Sequence, residues 1–223
     1  MIYIIRHGQT ENNKAKLLQG RTDIPLNKDG IRQAEAAAKW FCDQQIRIDS
    51  VYSSPLIRAV ETAKAVNRAH KQDIILRYDI QEINGGDWEG KTTLQLKELY
   101  PDHMDKYLHR PWEFEAPNGE SIPAVAERAF QAVRRIAEEN RGKTVALVSH
   151  GEFLRCYICK AMGKSLHELP ALGYSPNTGI SRVDYDDDLN PHVVFVGDGS
   201  HLPVQIPSEL EKYLTQDAKE KKE

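Results

Sequence analysis

Cysteine is scarce in this chain, three in 223 residues. So small an odd set does not build a disulfide framework, and a reducing cytoplasm is the simplest setting for it. Long apolar runs are missing: none approaches the ~18 residues that a membrane span needs. The N-terminus enters a strand-like run directly, without the basic region and small-residue cleavage site of a secretory leader. Positive charge is not in excess. Lys and Arg number 30 against 33 Asp and Glu, for a formal net charge of −3, so the basic footprint of a nucleic-acid binder is absent. Neither nucleic acid nor membrane is an expected partner, while a small basic pocket for an anion stays open. No HExxH and no paired Cys/His spacing announces a metal. Gly142-Lys143-Thr144 lacks the first glycine of a phosphate-binding loop and precedes a strand-like run. Cys156 and Cys159 form a C-x-x-C spacing inside an expected helix, where they read as small packing residues. Internal repeats, linkers and low-complexity segments are also absent, so residues 1–223 are expected to form one domain, with a charged tail at about 219–223 that frays.

What is present is organised around two strand ends. Residues 2–5 are an apolar run that leads straight into Arg6-His7-Gly8, and residues 145–148 lead into Ser149-His150-Gly151. Open α/β sheets bind ligands at the carboxyl ends of their strands, and glycine lets a small anion approach the backbone. Two His-Gly strand ends in one chain suggest a site built from both.

Between these ends, strand-like and helix-like segments alternate. Residues 9–26 are polar and aperiodic and read as a loop. Asn27 is placed to cap a helix over about 29–45, with Ile31, Ala34, Ala38 and Phe41 facing inward. Residues 49–53 predict a second strand. Ser54-Pro55 then reads as a helix start, a hydroxyl cap followed by proline. Arg58 falls in the opening turns of that helix. A cation there opposes the helix dipole unless an anion sits between it and the helix N-terminus. Residues 74–78 predict a short strand, 82–90 a glycine-rich loop, and 92–109 a helix broken at Pro101. Residues 83–121 read as a lid-like insertion in which Trp112 and Phe114 could wall a substrate or pack as a satellite core. A helix capped by Ser121, a strand over 143–149, a helix over 152–162 and two late strands, at least one antiparallel, complete the pattern. The alternation predicts an α/β fold of three layers, a mostly parallel central sheet with helices on both faces.

The groups expected at the carboxyl ends of strands, or in the segments just after them, are Arg6, His7, Arg58, Glu82 and His150. Guanidinium forks match phosphate oxygens, a neutral imidazole is a nucleophile, and a carboxylic acid can protonate a leaving alkoxide. Two arginines and a second histidine can supply the charge stabilisation that Mg²⁺ gives elsewhere. Arg6 beside His7 would repel a metal cation. The parts suit phosphoryl transfer without a cofactor.

Arg6-His7-Gly8-Gln9-Thr10 followed by Asn13 resembles the signature of the histidine phosphatase family, the phosphoglycerate mutase-like proteins. Further segments match in order: Ser53-Ser54-Pro55-Leu56 with Arg58 and Thr62, Glu82-Ile83-Asn84, Gly86-Asp87-Trp88-Glu89-Gly90, Asn118-Gly119-Glu120-Ser121, Ser149-His150-Gly151, Asn177-Thr178 and Ser200-His201-Leu202. The resemblance implies a phosphoglycerate mutase-like fold and a transient phosphohistidine on His7. It implies Arg6, Arg58 and His150 as holders of the phosphoryl oxygens, and Glu82 as general acid and then base. Asn13 and the Gly151 amide would complete the phosphate pocket, with Gln19, Gly20 and Glu120 on the substrate side. Gln9 stands where many members carry Glu. Gly85 stands where a bulky residue is common and would loosen the Glu82 loop. Mutases of this kind carry a longer insertion with paired arginines, whereas residues 83–120 hold only Arg110. The expected function is a metal-independent phosphatase of small phosphomonoesters, with Trp112 and Phe114 hinting at a partly apolar leaving group. A phosphoglycerate mutase and a non-catalytic phosphate-binding scaffold are the alternatives.

Overall fold

In the computed structural model, which describes residues 1–202, the N-terminal run becomes β1 (Ile2–Arg6), buried along its whole length. Burial on both faces explains why it is apolar throughout rather than alternating. The chain continues through a four-residue α1 (Glu11–Lys14), α2 (Lys28–Asp43), β2 (Ser50–Ser53), α3 (Ile57–Asn67), β3 (Ile74–Leu76), α4 (Thr93–Leu99), α5 (Pro101–His109), α6 (Ile122–Glu139), β4 (Val145–Ser149), α7 (Gly151–Ala161), β5 (Ile180–Tyr185) and β6 (Pro191–Asp198). The six strands form a sheet of order β3-β2-β4-β1-β5-β6. It is mixed: β5 pairs antiparallel with both neighbours, and the other pairings are parallel. Strands β1 and β4 are adjacent, with Arg6 opposite Ser149. His7 and His150 therefore leave the sheet side by side.

Each face of the sheet carries its own core. On one, Ile2, Ile4, Val145 and Leu147 pack against Ala129, Val133 and Ile136 of α6 and Phe153 and Tyr157 of α7. On the other, Tyr3, Ile5, Val51 and Val148 pack against Ala37 and Phe41 of α2 and Ala59, Ala63 and Val66 of α3. The inward face of α6 is the one its spacing predicts. That of α2 differs: Ile31 is 49% exposed, and the buried positions are Gly30, Gln33, Ala34, Ala37 and Phe41. Glycine explains the rotation. A Cβ on Gly30 would lie 2.0 Å from the Gln9 carbonyl oxygen, and one on Gly8 would lie 2.6 Å from the Gly30 oxygen. Backbone packs on backbone there, a contact that counting apolar side chains does not register.

Residues 83–121 contribute Ile83 and Tyr107 to the wall of the pocket described below, and much of the segment packs inward. Trp88, Leu96, Met104, Tyr107 and Phe114 form a third core with Ile122 and Val125 of α6 and with Cys156 and Cys159 of α7. Phe114 is buried, and Trp112 stacks on His167 with ring centroids 4.0 Å apart. Neither aromatic reaches the pocket described below. The expected charged tail at 219–223 lies outside the described residues. No helix among the described residues is long and apolar enough to cross a membrane.

Candidate active site

The carboxyl ends of β1 and β4 converge on a pocket of about 80 Å³ lined by Arg6, His7, Asn13, Gln19, Gly20, Arg58, Glu82 and Gly151. Leu17, Leu18, Ile83, Tyr107, Glu152 and Tyr174 complete its wall. Of the ten residues that sequence reasoning placed in a site, eight line this pocket. His150 is buried beside it, and Glu120 lies elsewhere.

His7 Nδ1 lies 2.7 Å from the Gly8 carbonyl oxygen. A carbonyl only accepts, so Nδ1 carries the proton and Nε2 of the neutral ring keeps its lone pair. Burial pushes the His7 pKa well below its ordinary value, and the charges of Arg58 and Arg6 push the same way. The ring is thus neutral, with its lone pair at one defined nitrogen. Its turn is fixed by neighbours: the Gly8 N–H donates to Thr62 Oγ1 at 3.0 Å, and Thr62 in turn donates to the Arg58 carbonyl. Behind it, the Asn177 side chain and the Thr178 N–H both donate to the His7 carbonyl. Thr178 holds a positive φ of 59°, a conformation rare for a β-branched residue and one that only over-determined surroundings maintain.

The His150 ring is 5.2 Å from that of His7, centroid to centroid. Its Nε2 meets Ser54 Oγ at 2.7 Å. Ser54 Oγ also accepts from the Leu56 N–H at 3.4 Å; with the serine proton given to Nε2, the neutral ring carries its own proton on Nδ1. That nitrogen is buried and has no partner among the described residues. Burial again drives the pKa well below normal, followed by the charges of Arg58, His7 and Arg6. Ser54 is therefore not the helix cap its position suggested. The first N–H of α3, on Ile57, is taken by Asp23 Oδ1 at 2.7 Å instead.

Arg58 is fully buried. Its terminal nitrogens donate to the carbonyls of Thr22 and Gly20, both at 2.7 Å, which leaves Nε buried and unpartnered among the described residues. Burial lowers its pKa to about 10, against the opposing charges of Glu82, Asp23 and Glu89. An anion at the N-terminus of α3 is not needed to explain this arginine, because Asp23 occupies that end and backbone carbonyls hold the guanidinium. Arg6 donates to the Ser175 carbonyl at 2.7 Å, and its guanidinium lies 3.5 Å from where a Gly151 Cβ would stand.

Glu82 sits at the N-terminus of α7. Its Oε1 accepts from the Ile83 and Phe153 N–H groups, and Oε2 from Glu152 N–H alone. Burial and the nearby Glu152 charge outweigh these amides and raise its pKa. Oε2, with one donor, has room for a proton. Two of the three free N–H groups that open α7 are used in this way. The third belongs to Gly151, which lines the pocket.

Asn13 Oδ1 accepts from the Thr10 N–H and from Asn177, and Gln19 Oε1 accepts the Thr10 hydroxyl. Both amides therefore offer NH₂ groups as their remaining polar function. Glu120 is not among the residues that line the pocket. It binds Arg21 and Arg128 and accepts the Asn84 N–H, while both arginines also reach the Glu82 carbonyl. It braces the Glu82 loop from behind. Gly85 does not leave that loop loose either: its N–H donates to Glu89, and a Cβ there would meet Leu18 at 2.7 Å. Sequence reasoning missed Tyr107, Tyr174 and Glu152, whose hydroxyls and carboxylate bond to one another in the pocket wall. Thr62 left a usable signal, since it stands four residues after Arg58 on the same helical face.

Among the described residues no group of three or more His, Cys, Asp and Glu side chains is placed to hold a metal ion. The arrangement offers one lone pair on a neutral imidazole, surrounded by guanidinium, imidazole and amide donors, with a protonatable carboxyl at one side.

Known proteins resemble this chain along nearly its whole length. The model of the histidine phosphatase superfamily (branch 1) matches residues 2–198. The probable phosphoglycerate mutase GpmB of Escherichia fergusonii is 31% identical over 219 residues, 95% of this chain and 99% of that protein. The solved structure of Bacillus stearothermophilus YhfR superposes with a TM-score of 0.84 at 30% identity, covering 90% of this chain and 98% of that one. A phosphoserine phosphatase mutant from Entamoeba histolytica, in complex with phosphoserine, superposes with a TM-score of 0.78 at 30% identity over the same shares.

Proposed function

From the premise that this chain belongs to the histidine phosphatase superfamily, we propose that it is a metal-independent phosphatase that hydrolyses small phosphomonoesters through a phosphohistidine on His7. The observation that carries the reading is a mismatch of hydrogen-bond capacity beside the nucleophile. Arg58 Nε is a buried donor, as is His150 Nδ1 when Nε2 accepts the Ser54 proton, and neither has an acceptor among the described residues. Leaving such groups unpaired costs about 1–3 kcal/mol each, and the equatorial oxygens of a phosphoryl group would satisfy them. The Gly151 N–H, Arg6 and the amides of Asn13 and Gln19 would take the remaining oxygen lone pairs.

His7 Nε2 attacks phosphorus, and the N–P bond forms as the ester P–O bond breaks. The leaving alkoxide takes the proton from Glu82. The resulting carboxylate then accepts a proton from water as that water attacks phosphorus and the N–P bond breaks, its electron pair returning to Nε2, which releases inorganic phosphate and returns His7 to its neutral form. Charge that develops on the phosphoryl oxygens meets preorganised donors at every stage.

Hydrolysis is favoured over isomerisation by what lines the leaving-group side. Among the described residues the only cations in the pocket wall are Arg6 and Arg58, and both belong to the phosphoryl end. Arg110 is turned away and paired with Asp105 and Glu113. Release of phosphate from p-nitrophenyl phosphate in excess EDTA tests the assignment. Turnover by the wild type and its loss in His7→Ala are expected, together with an acid-labile, base-stable phosphoenzyme after rapid quenching. Turnover that survives His7→Ala would refute it. Conversion of phosphoglycerate in the presence of its bisphosphate primer, faster than hydrolysis, would assign a mutase instead.

A further inference from the structure

We propose that Glu89, which lies outside the pocket, is a positioning residue for Arg58: its carboxylate clamps the 20–22 segment whose carbonyls aim the guanidinium. The inference rests on the reading of Arg58 as a phosphoryl-binding group.

Glu89 Oε1 accepts from the Arg21 and Gly85 N–H groups at 2.8 and 3.0 Å. Oε2 accepts from the N–H and the hydroxyl of Thr22. Four donors from two separate segments thus converge on one carboxylate. With the amides of Arg21 and Thr22 turned toward Glu89, the carbonyls of Gly20 and Thr22 are turned toward Arg58, and each accepts from one of its terminal nitrogens at 2.7 Å. A guanidinium held at both terminal nitrogens keeps one orientation, and that orientation leaves Nε without a partner among the described residues.

Glycine at position 20 belongs to the same device. Its φ is +51°, a left-handed conformation that suits glycine. A Cβ there would lie 2.0 Å from Glu89 Oε1, so any other residue would displace the carboxylate. The alternative to Arg58 orientation is that Glu89 only fastens a surface loop. The two differ in one respect: a loop fastener matters equally whether or not Arg58 is present.

The experiment is a double-mutant cycle on the full chain: wild type, Glu89→Gln, Arg58→Ala and the combination. Both kcat/KM for p-nitrophenyl phosphate and the calorimetric Kd of inorganic phosphate are read, with thermal unfolding of each protein. Glu89→Gln is expected to lower kcat/KM by about 10- to 100-fold, the scale of a misplaced binding group, and to weaken phosphate binding. In the Arg58→Ala background the same substitution is expected to change either quantity by less than about twofold, because the two residues act as one unit. Equal losses in both backgrounds, or wild-type behaviour of Glu89→Gln, would overturn the proposal. Should Glu89→Gln fail to fold, Thr22→Val removes one of the four donors and keeps the Thr22 carbonyl. Its smaller loss must likewise vanish without Arg58. If the wild type binds phosphate but does not turn over ester, the phosphatase reading fails and the phosphate affinities still decide the role of Glu89.

Discussion

At the scale of single residues, the proposed chemistry depends on donors whose partners lie far away in the chain. Arg58→Ala should remove about 3 kcal/mol of transition-state stabilisation, a fall of roughly 10²–10³ in kcat, read from steady-state hydrolysis of p-nitrophenyl phosphate. Ser54→Ala should strand His150 Nε2 in a buried site and destabilise the fold by about 1–3 kcal/mol, measured by urea unfolding. Stability equal to wild type would mean that the pair at 2.7 Å is not what holds the second imidazole. The pH dependence separates Glu82 from the rest. Its raised pKa keeps it protonated further up the pH scale than an ordinary carboxyl, so kcat for an alkyl phosphate should fall as pH rises through that value. The limb should be weak for p-nitrophenyl phosphate, whose leaving group departs without a proton, and absent in Glu82→Gln. Arg6, His7, Arg58, Glu82 and His150 were legible in the sequence because they are chemically loud residues at predicted strand ends and loops. Glu89 and Ser54 were not, since a hydroxyl or carboxylate read locally gives no hint of a partner dozens of positions away.

At the scale of elements, the packing of α2 on the turn after β1 fixes how His7 is presented. Gly30→Ala would drive a methyl group into the Gln9 backbone. A cost on the order of 1–3 kcal/mol is expected, together with a loss of turnover, because Gln9 is two residues from His7. A normal midpoint in denaturant would show that the backbone contact yields without consequence. Local chemistry announced most element starts: the side chains of Asn27 and Ser121 cap α2 and α6 as expected, and Pro101 separates α4 from α5. Two starts were misread for one reason. Thr10 and Asn13 form a reciprocal capping box that creates α1 inside an apparently aperiodic stretch, and α3 borrows its cap from Asp23, 34 residues upstream of Ile57. Periodicity cannot see a helix of four residues, and local reading cannot see a cap that arrives from another segment.

At the scale of the whole molecule, burying neutral imidazoles ties stability to pH. His7 and His150 have pKa values well below the ordinary value in the folded state, so the unfolded chain binds more protons once the pH falls under about 6.5. Stability is therefore full above that pH and declines below it, by up to ~1.4 kcal/mol per pH unit for each ring. His70 and His201 add in the same sense, and Glu82, with its raised pKa, opposes them only as the pH rises away from the acid range. Urea unfolding on either side of that pH checks the slope, and a flat profile would contradict neutral buried rings. The layered architecture was legible from the alternation of segments, but strand order was not, because it depends on which edges meet in three dimensions. That order has a consequence for how such a protein can be altered. With β1 and β4 as neighbours and Arg6 opposite Ser149, the gap between the two imidazoles is inherited from the ladder spacing of a sheet, about 4.8 Å, and not from any connecting segment. Exchanging the part of the excursion that follows Glu89 and precedes α6, which reaches the pocket wall at Tyr107, would then rewrite that side of the cleft while its innermost ruler and Glu82 stay constant, so new selectivities could be grafted on without retuning the reacting pair.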